Sequence, residues 1–315
     1  MKILENKYID ISSVRHLYPF KSRYLDINGL KYHYIDEGCG EPVAMIHGNP
    51  TWSFYYRRLI KDLIPGFRAI APDHIGCGLS DKPDANRYDY RLKSRIDNFE
   101  ALMDHLNIDQ NLNLILHDWG GMIGMAYALR YPEKIRRIVI MNTSAFLPPS
   151  GKKLPLRLKI IRNFNLFGTI AVLGFNLFSY AALYMASFKG LSKDVKKGLA
   201  APYNCWKNRI ATLKFVQDIP VCGTDPSFDL VKSVDENMSR LSQIPMVICW
   251  GKKDFVFDDD YLDQWHNRFP DARIHTFSDA GHYVLEDAPD KVSMIVRDFL
   301  VSKPIGNINK SDRKR

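Results

Sequence analysis

Short apolar runs alternate with longer helical patterns along most of the chain. Asn28-Gly29, between the first two runs, is a strong signal for a hairpin turn. Leu92–Leu106 and Met122–Arg130 follow the helical period between later runs. Strands that alternate with helices indicate an α/β fold, with a mostly parallel eight-stranded sheet flanked by helices. The eight predicted strands are Tyr24–Ile27, Leu30–Ile35, Val43–His47, Arg68–Pro72, Leu112–His117, Ile135–Asn142, Met246–Trp250 and Arg273–Phe277.

The alternation stops between Pro148 and Gln243. This segment is helical and aromatic in character, and Ile244-Pro245 marks the return to a strand. We therefore expect residues 1–147 and 244–302 to form one core in two parts, with residues 148–243 inserted as a helical cap. Residues 303–315 are expected to form a basic C-terminal tail. Ligands of such sheets bind at the carboxyl ends of the strands, so the predicted cap covers the predicted site.

One stretch of the predicted cap, Asn163–Phe188, has 26 residues and no charged side chain. That length could span a membrane. A single span here would put the two halves of the sheet on opposite sides of the bilayer, so the core could not form. We therefore predict an apolar cap that is buried or lies at an interface.

The charge of the chain is unevenly distributed. Lys and Arg total 44 against 35 Asp and Glu, and ten of the basic residues lie in the acid-free segment Lys134–Lys193. The rest of the chain is nearly neutral, which disfavours a nucleic-acid binder and leaves a local surface for an anion or a lipid headgroup.

The five cysteines are odd in number and lack metal-ligand spacing. Residues 1–7 lack the apolar core of a signal peptide. These features favour a reduced compartment. We expect a cytoplasmic enzyme with neither a metal nor a cofactor.

The segment Leu114–Met122 carries the main chemical signal. It runs from an apolar strand through Asp118 and two glycines into a helix. This is the layout of a nucleophile elbow, in which a strained turn lifts one side chain above the sheet. A carboxylate at that position can open an electrophilic carbon or a strained ring. The alternative is that Asp118 only caps the helix.

Two further residues follow in the chain order expected for a catalytic triad. Asp254 comes after the strand at Met246–Trp250, and His282 comes after the last strand. Since no acid occurs between Glu133 and Asp194, the interval that contains the end of the sixth predicted strand, Asp254 is expected to orient His282. Asn49, after the third strand, and Trp119, after the elbow, are expected to supply N–H donors to a developing anion. Singly, His282 could be a loop residue and Asp254 a surface charge.

These motifs resemble the haloalkane dehalogenase branch of the α/β-hydrolase superfamily. The similarity runs from about Tyr24 to Leu300, and Asp118, His282, Asp254, Asn49 and Trp119 fall on functional positions of that branch. The motifs that carry it are His47–Trp52, Asp73–Pro83 and His117–Gly121.

Three segments narrow the resemblance to a subgroup, the β-lactone decarboxylases of bacterial long-chain olefin biosynthesis. They are Ala201–Ile210 together with Phe215–Pro220, then Asp254–Asp258, and Asp279–Asp287. The resemblance implies decarboxylation of a cis-3,4-dialkyl-oxetan-2-one to a cis-alkene and carbon dioxide. It also implies partner enzymes, namely a thiolase-like condensing enzyme, a reductase and a lactone synthetase. A complex with the synthetase and a peripheral membrane contact are expected from the waxy substrate.

Three alternatives stay open at this stage. A haloalkane dehalogenase would use the same residues around a compact pocket, whereas the uncharged stretch could line a long channel or simply pack the cap. An epoxide hydrolase would need a pair of cap tyrosines, for which Tyr180, Tyr184 and Tyr203 are the candidates. A degenerate fold could act as a binding partner, although the intact triad argues against it.

Overall fold

The computed structural model describes residues 9–149, 151–152, 154–163 and 165–302. Its eight strands are β1 (Arg23–Ile27), β2 (Leu30–Gly38), β3 (Glu41–Ile46), β4 (Phe67–Pro72), β5 (Leu112–Asp118), β6 (Ile135–Thr143), β7 (Met246–Gly251) and β8 (Arg273–Phe277). They form one sheet in the order β1-β2-β4-β3-β5-β6-β7-β8. β1 and β2 pair in antiparallel fashion, and all pairings from β4 to β8 are parallel. The predicted α/β fold is confirmed.

Helices cover both faces of this sheet. The α-helices are α1 (Arg57–Leu63), α2 (Leu92–His105), α3 (Trp119–Arg130), α4 (Leu156–Asn163), α5 (Asn165–Thr169), α6 (Leu177–Met185), α7 (Lys193–Ala200), α8 (Ile210–Gln217), α9 (Phe228–Asn237), α10 (Asp259–Arg268), α11 (Val284–Asp287) and α12 (Pro289–Val301). Short 3-10 helices occupy Ser12–Val14, Ser53–Tyr56, Pro132–Lys134, Ala201–Tyr203, Lys207–Arg209 and Met238–Leu241, and a π-helical turn occupies Ile170–Gly174.

The central strands are the most deeply buried elements. Every residue of β5 and β7 is buried, as expected for parallel strands covered on both faces. The carboxyl ends of β3, β5, β6, β7 and β8 lie at one edge of the sheet because these strands are parallel. The loops that follow them therefore meet at that edge.

Six helices, α4 to α9, lie between β6 and β7. The uncharged stretch predicted from the sequence contains α5, the π-helical turn and α6, which are broken at Asn176, a residue with left-handed backbone (φ 54°). No single helix among the described residues is long and apolar enough to cross a membrane. Leu166–Gly174 and Leu177–Met185 have the required length and composition only when taken together, and they are bent by 67°.

The outer side of this helical segment is unusually apolar. Fifteen large hydrophobic residues are exposed in the described chain, and nine of them lie between positions 156 and 188. We call these nine the apolar cap surface: Leu156, Leu166, Phe167, Ile170, Phe175, Leu177, Tyr180, Tyr184 and Phe188.

Most of the acid-free basic segment is neutralised by carboxylates from elsewhere in the chain. Six of its ten basic residues form ion pairs: Lys134 with Asp104 and Asp109, Arg136 and Arg137 with Glu41, Lys152 with Asp258 and Asp260, Arg162 with Asp225, and Lys189 with Asp279. Arg157, Lys159 and Lys193 have no carboxylate within 4.0 Å among the described residues. Lys153 and the predicted tail at 303–315 lie outside them.

Candidate active site

Asp118 stands on the sharp turn between β5 and α3. Its backbone angles, φ 53° and ψ −125°, lie in a region that residues with side chains adopt only under strain. The turn places the side chain above the carboxyl edge of the sheet, as in a nucleophile elbow. The carbonyl oxygen of Asp118 also accepts a hydrogen bond from the hydroxyl of Thr143 at the end of β6.

Two glycines leave room for this turn. A Cβ atom at Gly48 would overlap the Asp118 carboxylate, and one at Gly120 would overlap the carbonyl oxygen of Ile46. The absence of these side chains lets α3 approach β3 and lets the carboxylate occupy the space beside the β3 loop. α3 begins at Trp119, three residues before the predicted start.

The two carboxylate oxygens of Asp118 have different partners. The backbone N–H of Asn49 donates to Oδ1 at 2.7 Å, and His282 Nε2 lies 3.4 Å from Oδ2. Burial alone would raise the pKa of Asp118, but the hydrogen bond and the charge of His282 lower it below its ordinary value. Asp118 is therefore an anion at neutral pH, as nucleophilic attack requires.

His282 lies between two carboxylates. Its Nδ1–H donates to Asp254 Oδ2 at 2.8 Å, while Nε2 faces Asp118. Burial would lower the pKa of His282, but Asp254 and Asp118 raise it to about 10. The structure thus brings together the three residues that the sequence placed in one triad, and it holds the imidazole as a cation in the resting site.

Asn142 supports Asp254 from the end of β6, a role that the sequence analysis did not identify. The Asn142 amide donates to Asp254 Oδ2 and to the Gly251 carbonyl, both at 3.0 Å, and its oxygen accepts from the Gly251 N–H at 2.8 Å. The expected orienting group was an acid, and this strand end has none. A single asparagine at a strand end carries no pattern that could have marked it.

Replacing Asn142 with leucine is expected to lower both stability and activity. The change leaves part of the buried Asp254 carboxylate and the Gly251 backbone without partners, at a cost of about 1–3 kcal/mol in the free energy of unfolding. It also removes a hydrogen bond that holds Asp254, the acid that orients His282. The measurements are a denaturation midpoint and turnover by the folded enzyme.

A matched control is Asn113→Leu, which removes a buried amide at the opposite end of β5. This variant should lose similar stability and keep its turnover. Equal turnover in the two variants would show that Asn142 has no positioning role.

A second histidine, His117, holds the loop that carries His282. His117 Nε2–H donates to the carbonyl oxygen of His282 at 2.8 Å. Burial and the charge of His282 lower the pKa of His117 to about 3, so His117 remains neutral. His117 therefore anchors the loop without adding a charge.

Asp287 joins the same loop to the cap. Its carboxylate accepts the Gly281 N–H at 2.7 Å and also the Phe188 N–H at 2.8 Å. The Ser187 hydroxyl donates to its other oxygen at 2.6 Å. One buried carboxylate thus ties the cap segment before α7 to the residue next to His282.

Asn49 and Trp119, the predicted anion donors, both line the cavity above Asp118. One N–H of the Asn49 side chain is used by the Thr212 carbonyl at 3.0 Å, which leaves its second amide hydrogen. The Trp119 indole packs edge-on against Phe215 at 5.2 Å, and its N–H has no hydrogen-bond partner among the described residues. These two groups can each donate a hydrogen bond to a bound anion. Trp52, in the same loop as Asn49, is fully buried.

The cavity has a volume of about 430 Å³ and an almost wholly apolar lining. Among the described residues that line it, three carry charge, namely Asp118, Arg157 and His282. α6 contributes one wall through side chains spaced along a single helical face, which are Leu177, Phe178, Ala181, Ala182 and Met185. The uncharged stretch therefore both lines the cavity and packs the cap.

The three tyrosines considered for an epoxide hydrolase do not line this cavity. Tyr180 and Tyr184 are exposed, and Tyr203 is buried with its hydroxyl donating to the Thr51 carbonyl at 3.2 Å. Among the described residues, the cap contributes no tyrosine to the cavity lining and so no pair that would protonate an epoxide oxygen. The geometry thus disfavours that alternative.

Comparison with known proteins agrees with this architecture. The profile of the α/β hydrolase fold family matches residues 41–289. The chain is 53% identical over 285 residues to a cis-3-alkyl-4-alkyloxetan-2-one decarboxylase of Shewanella oneidensis, covering 90% of this chain and 89% of that protein. It is 39% identical over 296 residues to the enzyme of the same name from Xanthomonas campestris, covering 91% and 98%. The crystal structure of the haloalkane dehalogenase DatA from Agrobacterium tumefaciens is similar with a TM-score of 0.80 and 25% identity, covering 89% and 96%.

Proposed function

The chain belongs to the α/β-hydrolase fold family, and we propose that it decarboxylates a cis-3-alkyl-4-alkyloxetan-2-one to a cis-alkene and carbon dioxide. The observation that carries this proposal is the position of Asp118, an anionic nucleophile, beneath an almost wholly apolar cavity. The names and coverage of the two relatives at 53% and 39% identity support the same activity.

The cavity suits a small polar ring that carries two alkyl chains. The ring would lie next to Asp118 and His282, where the charged groups are, and the chains would contact the apolar walls from the cap. Each methylene group that leaves water there contributes about 0.8 kcal/mol to binding. Chain burial can therefore hold a substrate that offers few polar groups.

The first step is attack by Asp118 Oδ2 on the ring carbon that bears the lactone oxygen. The bond between that carbon and the ring oxygen breaks, and its electron pair remains on the released carboxylate. Asp118 becomes an alkyl ester. Attack on the carbonyl carbon would instead leave the ring oxygen bonded to the alkyl-bearing ring carbon. Alkene formation must break that bond. The ring-carbon route is also the displacement at saturated carbon that a dehalogenase performs.

The second step forms the products without water. The bond between the carboxylate and its ring carbon breaks and releases carbon dioxide, and its electron pair forms the double bond. The ester bond to the neighbouring carbon breaks, and its pair returns to Asp118. Inversion in the first step, followed by anti elimination in the second, converts a cis-lactone to a cis-alkene.

The other site residues stabilise the charge as it moves. The cationic His282 beside Oδ2 makes Asp118 a better leaving group in the second step, and Asp254 keeps that cation in place. The released carboxylate can accept hydrogen bonds from the side chains of Asn49 and Trp119. No step requires a metal or a redox cofactor.

Haloalkane hydrolysis is the second candidate function. The same pair of donors suits a departing halide, and the chain shares the fold of the haloalkane dehalogenase DatA, with a TM-score of 0.80. In that reaction water must attack the carbonyl carbon of the Asp118 ester, and His282 must accept a proton from the water. The two functions therefore differ in whether an oxygen atom from water is incorporated into the Asp118 carboxylate.

Turnover in water labelled with ¹⁸O is expected to leave Asp118 unlabelled when the substrate is a β-lactone. Elimination returns the original two oxygens to the carboxylate, whereas hydrolysis of an ester inserts one oxygen from water. The measurement is the mass of the peptide that contains Asp118 after many turnovers.

A well-characterised dehalogenase treated with a haloalkane is the positive control for labelling. Label in Asp118 after lactone turnover would contradict the elimination step. Turnover of haloalkanes with no activity on lactones would assign the second function instead.

We also place this reaction in olefin biosynthesis in the cytoplasm. A strained lactone with two long chains must come from an enzyme that closes a β-hydroxy acid, and earlier steps must condense and reduce two acyl units. Direct contact with the lactone synthetase stays a prediction, which co-purification of the two proteins would test.

A further inference from the structure

The apolar cap surface leaves hydrophobic side chains in contact with water that a globular protein would ordinarily bury. Leu166 is 77% exposed, Tyr184 is 69% exposed and Phe175 is 68% exposed. Single exposed apolar residues need no explanation, but a concentration of nine within one short segment marks an interaction surface.

α6 presents an apolar face outward. Leu177, Tyr180, Ala181 and Tyr184 are exposed, and their i, i+3, i+4, i+7 spacing puts them on one side of the helix. A surface helix of a soluble protein usually has polar residues on that side. No charged residue occurs from Asn163 to Phe188, so nothing on α6 itself offsets this exposure.

This face is continuous with the mouth of the active-site cavity. Phe167, Leu177 and Ala181 are exposed on the outside and also line the cavity. Phe255, on the loop after β7, is 45% exposed and also lines the cavity. A chain that leaves the cavity between these residues would therefore pass directly onto the apolar cap surface.

Cationic side chains border the apolar face. The Arg157 guanidinium contacts the Met185 sulfur at 3.0 Å, next to the end of α6, and Lys196 Nζ lies 4.0 Å from the ring centre of Tyr184. Arg157 and the exposed Lys159 have no carboxylate within 4.0 Å among the described residues. Six other basic residues of the acid-free segment Lys134–Lys193 form ion pairs with carboxylates. Few unpaired positive charges therefore remain to attract an anionic surface.

We propose that the apolar cap surface docks on a lipid bilayer and that the mouth of the cavity then faces the hydrocarbon. Apolar side chains at the centre, tyrosines beside them and cations at the border form the arrangement that enters the interfacial region of a membrane. Shallow docking needs no helix that crosses the bilayer. The burial of apolar side chains drives this docking, and Arg157 and Lys159 add a small dependence on anionic lipid.

The consequence for catalysis rests on the proposed function. A lactone with two alkyl chains partitions into lipid, so a docked mouth lets it reach Asp118 without crossing water. The docking itself depends only on the exposed side chains. Binding to vesicles and turnover of a soluble substrate therefore test the two proposals separately.

The experiment compares the full chain with two triple variants in flotation with phosphatidylcholine vesicles, with and without phosphatidylglycerol. The cap variant is Leu166→Gln, Phe175→Gln and Tyr180→Gln, none of which lines the cavity. The control variant is Tyr24→Gln, Met294→Gln and Val301→Gln, which lie outside the cap. The exposed fractions are 77%, 68% and 51% in the first set and 48%, 59% and 69% in the second, so the two sets are closely matched.

We expect the unmodified chain and the control variant to float with both kinds of vesicle, slightly better when anionic lipid is present. The cap variant should lose at least about tenfold in vesicle affinity because three exposed apolar side chains no longer enter the lipid. It should keep its turnover of a short-chain, water-soluble β-lactone. Its turnover of a long-chain lactone supplied in vesicles should fall with its binding.

Three results would overturn the proposal. One is failure of the unmodified chain to float, and another is equal vesicle binding by the cap and control variants. Self-association that the cap variant abolishes, without any vesicle binding, would assign the surface to a second copy of the chain. If the chain floats as expected but turns over no lactone, the docking stands and the proposed function fails.

Discussion

Replacing Asp118 with alanine is expected to abolish lactone turnover, with a loss of about 10⁴-fold or more. In the proposed mechanism both chemical steps make or break a bond to its Oδ2, so no other group can replace it. The cavity, Asn49 and His282 remain in place, and the substrate can still bind. The measurements are steady-state turnover and substrate binding by the same preparation.

The fold of this variant must be verified by its circular dichroism and its denaturation midpoint. Asp118→Asn is a weaker test because hydrolysis of the amide could regenerate the acid. Turnover near the normal rate by a correctly folded Asp118→Ala protein would refute the assignment of the nucleophile.

Replacing His282 with alanine is expected to stop the reaction after the first step. The cation beside Oδ2 stabilises the Asp118 carboxylate, so its removal makes that carboxylate more nucleophilic and a poorer leaving group. The ester should therefore accumulate while turnover falls by about 10²–10⁴-fold. Intact mass spectrometry should show the protein plus the full mass of the lactone, since ring opening releases no fragment.

The double variant Asp118→Ala, His282→Ala is the control and should show no adduct. A haloalkane adduct would have a different mass, because the halide leaves in the first step. Undiminished turnover without His282 would contradict its role in either reaction.

The strands and the triad could be predicted because their signals are local or ordered along the chain. The central strands are apolar runs. Asp118 ends β5, Asp254 follows β7 and His282 follows the edge strand β8. Parallel strands bring their carboxyl ends together, so the order of the three residues along the chain already implied their proximity. The predicted ends of the strands differ from the observed ones by a few residues at most.

The supporting contacts could not be predicted because they join distant segments without a pattern. Asn142 meets Asp254 across 112 positions, and Asp287 meets Ser187 across 100. The basic segment is the clearest case, since counting charges along the sequence cannot detect that Glu41 and Asp225 lie against it. Its net charge indicated a stronger anion-binding surface than the folded chain presents.

The carboxylate of Asp287 couples one end of the cap to the catalytic loop. Near α7 the cap cannot lift without breaking the bonds of Asp287 to Ser187 and Phe188, and the same carboxylate holds Gly281 beside the catalytic imidazole. Any widening of the entrance that keeps the triad assembled must therefore leave this end of the cap in place.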